Sequence, residues 1–443
     1  MIVSIVSLGC AKNLVDSERM LAALRAGGYV LTADPAEADI AIVNTCGFIQ
    51  SAKEEAIDTI LELAQLKESG SLKKLIVTGC LAERYREEVA EQFPEADAVI
   101  GIGDQPEIVR VLNEVTAGER ITRFAPKCNM PLTGKRIVAT LPFFAYLKIA
   151  EGCSNGCTYC AIPAIRGKYR SVPMEDLLAE ARTLAENGVT ELIVIAQDTT
   201  RYGEDLYGEQ KLPELLRALC RIDGFRWIRV LYCYPERISD EIIDVIADEP
   251  KIVKYLDIPV QHCNAEVLKR MRRKCDAEML RGLFRKLRTR IPGITLRTTL
   301  LVGFPGETDE QFTELAEFVQ EMRFDRMGCF AYSEEEGTPA ARMTDQVEPE
   351  LRQHRADLLM EQQMQIAAEL NAERVGTETE AVIEGYDSAA GMWYARTAAD
   401  APDIDGRLWL AGAETQYRAG QYVNVLLTST VDDYDLLGEV KDR

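Results

Sequence analysis

The chain has 443 residues, which at about 150 residues per domain suggests roughly three domains. Its balance of 47% hydrophobic and 28% charged residues excludes wholesale disorder, and a net charge of −21 repels phosphate backbones unless a basic patch overrides the field. Twelve cysteines stand beside only two histidines, His262 and His354, so a His-rich zinc or non-haem iron centre is excluded and any metal falls to thiolates.

The opening run MIVSIVSLGC lacks the basic start and the length of a secretory signal. No run of 18 or more uncharged apolar residues predicts a membrane helix. These features place the protein in the reducing cytoplasm, where cysteines serve metal or redox chemistry rather than a disulfide frame. Over residues 1–120 short apolar runs (IVSIVSL, ADIAIVN, KLIVTG, AVIGIG) alternate with helical stretches near Asp16–Ala26, Ser51–Lys67, Glu83–Gln92 and Pro106–Val115. That alternation predicts an open parallel α/β domain of flavodoxin-like size. A connector follows over 121–141.

From 142 to 348 the alternation resumes. Strand candidates are FAYLKIA, ELIVIAQ, WIRVLY, YLDIPV, ITLRTTLLV and RMGCFAY, with helices near Glu175–Glu186, Pro213–Cys220, Asp240–Ala247, Ala277–Thr289 and Asp309–Met322. Six βα units predict a partial (β/α)6 barrel, with active groups at the strands' C-terminal ends. A long charged helix links this unit over 349–375 to five short strands in 376–443, read as a small antiparallel β-barrel.

The strongest chemical signal is Cys153-Ser-Asn-Gly-Cys157-Thr-Tyr-Cys160, directly after the first barrel strand. Three thiolates hold three corners of an iron–sulfide cube and leave the fourth iron open, whereas a ferredoxin supplies a fourth cysteine. A zinc site completed from afar, or chance clustering, is the alternative. Cys10, Cys46 and Cys80 each follow a strand of the first domain, where ligands of open parallel sheets bind. They form a second three-thiolate set or are three small buried residues.

The other six (Cys128, Cys220, Cys233, Cys263, Cys275 and Cys329) show no ligand spacing and read as core filler. His262 ends a barrel strand, in a structural or orienting place, and His354 reads as surface. Gly101-Ile-Gly103 lacks a third glycine and is a turn, and no P-loop is present. The basic run Lys269–Lys274 either grips an anion or is a solvated helix end.

GCSNGCTYCAIP resembles the cluster motif of radical S-adenosylmethionine (SAM) enzymes. With Cys10, Cys46, Cys80 and the terminal β module, the whole chain is similar to the methylthiotransferases, built from a cluster domain, a radical-SAM partial barrel and a TRAM domain. The resemblance implies that Cys153, Cys157 and Cys160 hold a 4Fe-4S cluster that binds SAM and splits it to a 5′-deoxyadenosyl radical. It implies a second 4Fe-4S cluster on Cys10, Cys46 and Cys80 that presents sulfur, and a second SAM as methyl donor. A reductant such as flavodoxin or ferredoxin and a sulfur donor are then required. Tyr159, Gln197, Asp198, Gln261 and Arg297 are the expected SAM contacts, with Gly303 allowing close backbone approach.

The run SLGCAKNLVDSERM resembles the branch that modifies an aspartate of small-subunit ribosomal protein twelve, rather than the branch acting on tRNA adenosine. Residues 375–443 carry thirteen acidic and five basic side chains, a net of −8, which suits a basic protein better than tRNA. The rival from another class is a non-catalytic iron–sulfur or zinc-binding protein.

Overall fold

The computed structural model describes residues 1–412 and 416–441. Glu414, Asp442 and Arg443, counted above in the charge of the terminal module, lie outside them.

The first six strands form one parallel sheet in the order Val30–Leu31, Ile2–Ser7, Ile40–Thr45, Lys74–Gly79, Ala98–Ile100, Ile121–Arg123. Side chains alternate across it. Ile40, Ile42 and Ile76 pack under helices Ala11–Ala26 and Ile108–Thr116, while Ala41, Val43, Leu75 and Val77 pack under Gln50–Glu68 and Cys80–Tyr85. The order in which strands are added reverses between Ile2–Ser7 and Ile40–Thr45, the point where such sheets bind ligands. Two details depart from expectation. The first helix starts at Ala11, directly on Cys10, and the stretch expected as Glu83–Gln92 is split at Arg86, whose φ of 45° ends one helix and starts the next. The short edge strands Val30–Leu31 and Ile121–Arg123 carry too few residues to show an alternation.

The second sheet runs in sequence order: Phe144–Lys148, Glu191–Ile195, Trp227–Val230, Ile252–Asp257, Thr295–Val302, Arg326–Ala331, all parallel. The first and sixth strands do not pair, so the barrel is open on one side. Its outward face packs on helices through Leu192, Val194, Ile228 and Leu256. Its inward face carries Tyr146, Ile193, Ile195, Trp227 and Tyr255.

The helix Pro349–Arg374 lies along the last two barrel strands and leads to a closed five-stranded barrel. Four of that barrel's junctions are antiparallel, while Leu408–Ala411 and Leu436–Val440 run parallel. Its segment 396–405 closes the N-terminal end of the partial barrel. Glu191 takes both Arg396 (2.5 Å) and Arg229 (2.9 Å), Arg326 meets Asp400 at 2.7 Å, and Tyr255 donates to Asp405 at 2.7 Å. Burial pushes the Glu191 carboxyl up, but the Arg396 and Arg229 guanidiniums outweigh it and hold it below the ordinary carboxylate range. Among the described residues no helix is long and apolar enough to cross a membrane.

Candidate active site

The Cys153–Cys160 loop leaves the first barrel strand through Gly152, whose φ of 75° and approach to the Lys168 carbonyl exclude a side chain. The Cys153 N–H donates to Gly167 O at 3.1 Å and the Cys160 N–H to Cys157 O at 3.2 Å, which folds the three thiols towards the barrel mouth. Asn155 pins the loop to the second strand's end, donating to Asp198 at 2.7 Å. Thr158 pins it on the other side, through Arg270 O at 2.8 Å and Met271 O at 3.2 Å. The Cys157 sulfur lies 2.8 Å from the Tyr234 hydroxyl. Burial pushes the Cys153 thiol up to about 11 and the Cys160 thiol higher still, so thiolates here need a cation to stabilise them.

In the first domain three glycines draw Cys10, Cys46 and Cys80 together. A Cβ on Gly9 would lie 2.8 Å from the Cys46 sulfur; one on Gly47 would lie 2.7 Å from the Leu81 backbone; one on Gly79, 2.5 Å from Thr45. Burial raises the Cys80 thiol to about 12 despite Arg166, and burial also raises Cys46. At Cys10 burial acts upward too, but Lys12 and Arg166 outweigh it and the thiol falls below its ordinary value. Cys80 packs against Ala161 and Ile165, the residues just beyond Cys160, so the two triads meet across the domain boundary.

That boundary is held by a buried charge network. Asp16 of the first helix bonds Lys148 of the first barrel strand and Arg166 of the loop helix. Glu151 also takes Lys148 at 2.7 Å, and Arg166 donates to Asn13 at 2.9 Å. On the far side Glu335, beyond the sixth strand, takes Arg84 at 2.7 Å and Lys53 at 3.2 Å. The first domain is thus tied to both edges of the open barrel.

Residues 2–101 match Uncharacterized protein family UPF0004, 147–319 the Radical SAM superfamily and 375–440 the TRAM domain. The chain is 52% identical over 434 residues to the ribosomal protein uS12 methylthiotransferase RimO of Lachnoclostridium phytofermentans, covering 98% of each. It is 48% identical over 441 residues to that of Desulforamulus reducens, covering 99% of each. The chain belongs to the RimO family. It is a radical-SAM transferase, and its chemistry draws on an iron–sulfur cluster and SAM. The radical SAM methyltransferase TsrM of Kitasatospora setae shares the fold at a TM-score of 0.56, with 14% identity over 76% of each chain.

The donor sets of this RimO-family protein suit such clusters. Each triad offers three thiols and no fourth ligand in sequence. Among the described residues no three Cys, His, Asp or Glu side chains converge on a single ion, which would need thiolates about 3.8 Å apart by tetrahedral geometry. A four-iron cluster gives each thiolate its own iron and spaces them more widely.

The expected SAM contacts fare differently. Gln197 and Asp198 sit at the second strand's end; Gln197 donates to Glu151 at 3.1 Å, and its buried Oε1 has no partner among the described residues. Burial raises the Asp198 carboxyl, although Asn155 and Thr200 donate to it. Gln261, four residues beyond the fourth strand, has φ 71° and bridges Leu300 of the fifth. Tyr159 lies with Cys157, Arg273 and Tyr234, where burial raises its phenol.

Arg297 and Gly303 are placed differently from the others. Arg297 is the third residue of its strand, far from the C-terminal rim, and Asp257 (2.8 Å) and Asp405 (3.7 Å) hold it. The glycine at 303 serves packing. With φ 67°, a Cβ there would lie 2.3 Å from Arg352 of the linking helix. The core-filler reading holds for Cys220, Cys233, Cys263 and Cys275, while Cys329 is half-buried and Cys128 is exposed. His354 is exposed, as expected.

Sequence reading missed Asn155, Tyr234, Arg166 and Lys12. It left the basic run undecided, and the run turns out mixed: Arg273 is buried against the Tyr234 ring (3.9 Å to its centroid) and Glu236, and Arg270 pairs with Asp345. Only Tyr234 carried a signal, two residues past the WIRVLY run at a strand end.

His262 is fully buried; its Nδ1 accepts the Asn264 N–H at 2.9 Å. Burial, with Arg355 nearby, lowers its pKa from 6.5 to about 3. The folded protein keeps it neutral while the unfolded chain protonates it below about 6.5, so it costs stability as pH falls from there. Between pH 6 and 4 the wild type should lose about 1.4 kcal/mol per pH unit more than His262→Gln. Thermal midpoints over that range check the slope, and parallel curves would refute it.

Proposed function

We propose that the protein methylthiolates the β-carbon of an aspartate side chain in ribosomal protein uS12, using two 4Fe-4S clusters and two molecules of SAM. One cluster is assigned to Cys153, Cys157 and Cys160, the other to Cys10, Cys46 and Cys80. The carrying observation is the meeting of the two triads through Cys80, Ala161 and Ile165 at the barrel mouth. When bound, the clusters and SAM supply a carbon radical able to take hydrogen from an unactivated C–H bond, together with the sulfur and methyl to be inserted.

The chain's own part is positioning and exclusion of water. Asn155 and Thr158 fix the loop that carries the first triad, and the segment 396–405 closes the floor. Tyr159, Gln197, Asp198 and Gln261 stand on the rim as SAM contacts, the unpaired Gln197 Oε1 being an acceptor for a bound N–H or O–H. A flavodoxin- or ferredoxin-class reductant and a sulfur donor complete the reaction in the cytoplasm. The acidic terminal module, net −8 over 375–443, complements a basic ribosomal protein.

Incubating the reconstituted enzyme with uS12 or with tRNA tests the reading. Mass spectrometry should find an added methylthio group on uS12 alone, and modification of tRNA alone would overturn it.

A further inference from the structure

Ten lysine and arginine residues are buried as a whole among the described residues, and nine have a carboxylate oxygen within 4.0 Å. Lys12 is the tenth. It is 8% exposed, and among the described residues no carboxylate lies within 4.0 Å of its ammonium. A buried ammonium without an anion is costly unless a partner arrives.

Its surroundings say what partner fits. Lys12 follows Cys10 by two residues, in the first turn of a helix that reaches into the barrel mouth with Ala11, Leu14 and Val15. Its Nζ lies 3.4 Å from the centroid of the Tyr232 ring, at the end of the third barrel strand. Tyr232 has φ 63°, a left-handed conformation that a bulky residue rarely adopts and that marks functional sites. The carboxylate whose field reaches Lys12, Asp257, is already committed: Oδ1 takes Arg297 at 2.8 Å and Oδ2 takes the Tyr232 N–H at 3.0 Å. Lys148 and Arg166 nearby are neutralised by Asp16 and Glu151. At the junction of the two cysteine triads, Lys12 is, among the described residues, the buried cation with no carboxylate partner, its field reaching only the Cys10 thiol, the Tyr232 phenol and the committed Asp257.

The geometry points to Lys12 as the receptor for the carboxylate of the substrate's aspartate, and so as a specificity determinant for an acidic side chain. This rests on the aspartate reading above. The β-carbon is one bond from that carboxylate, so an aspartate gripped by Lys12 presents its β C–H beside Cys10 and the barrel mouth. An amide or a nucleobase offers the ammonium no counter-charge.

The test uses the reconstituted holoenzyme and two labelled uS12 peptides, one with the target aspartate and one with asparagine there, with affinity read by fluorescence anisotropy. The wild type should bind the aspartate peptide about tenfold more tightly than the asparagine peptide, the effect of one charge-assisted hydrogen bond. Lys12→Met should erase that preference, and Lys12→Arg should keep most of it. An equal loss for both peptides would make Lys12 a packing residue, and a preference unchanged in Lys12→Met would also overturn the assignment. If the wild type methylthiolates the aspartate peptide yet shows no preference, the Lys12 inference alone fails. If it modifies neither peptide nor intact uS12, the aspartate reading fails first.

Discussion

Cys157→Ala should abolish production of 5′-deoxyadenosine, whereas Cys46→Ala should retain part of it and stop methylthio transfer. Cys157 is the central thiol of its triad and sits 2.8 Å from the Tyr234 hydroxyl. Without it two thiolates remain, one fewer than the three corners that a SAM-binding four-iron cluster takes from its loop. Iron should fall from about eight to about four per chain, as for loss of one of two four-iron clusters. Cys46 belongs to the other triad, tied to the barrel by packing and charge but outside the loop that Asn155 and Thr158 fix. Losing it should leave SAM cleavage in place while removing the sulfur-bearing site. Chromatographic measurement of 5′-deoxyadenosine beside iron analysis separates the two. Intact methylthio transfer by Cys46→Ala would show that the first-domain triad is not a cluster site.

The second large effect is on stability. Asp16→Asn should destabilise the protein by about 3–5 kcal/mol, the cost of breaking a buried charge network from one side. Asp16 neutralises both Lys148 and Arg166, and all three are fully buried. Its removal leaves Glu151 alone against two cations. Burial pushes the Glu151 carboxyl up, but Lys148 and Arg166 dominate and hold it far below the ordinary range. Its contribution is therefore present above pH 4.5 and is lost only in stronger acid. Adding Lys148→Met should recover part of the loss, because the pair is then removed together. Thermal unfolding of the single and double variants measures both. A single variant that melts within about 0.5 kcal/mol of wild type, the range of ordinary surface changes, would refute the network's role.

The parts legible from sequence are those written locally. Asp309–Met322 matches its expected limits because Thr308 and Gln311 form a reciprocal cap, and Pro349 opens the linking helix where a first-turn proline belongs. Cys10, Cys46 and Cys80 stood out because each follows an apolar run, and strand ends are where a parallel sheet exposes its ligands. The height of Arg297 was not legible because alternation reveals a strand but not a residue's level in the barrel: ITLRTTLLV runs from floor to rim, and the arginine lies near its start. Lys12 beside Tyr232 and Arg166 with Asp16 join residues 220 and 150 positions apart, and no local pattern announces such pairs. Gly303 shows the converse case. A glycine at a strand end fits a cofactor approach and a helix approach equally well, and here the helix takes the space.

The floor formed by segment 396–405 bears on how such proteins diversify. A C-terminal module that only recruited a partner could be exchanged between relatives like a detachable handle. This one supplies Arg396 to Glu191, Asp400 to Arg326 and Asp405 to Tyr255, deep inside another domain. Grafting a foreign module would leave Arg326 without its counter-charge, Glu191 with one guanidinium instead of two and the Tyr255 hydroxyl without its acceptor, so a change of partner has to be made on the module's outward surface while its inward edge stays matched to the barrel.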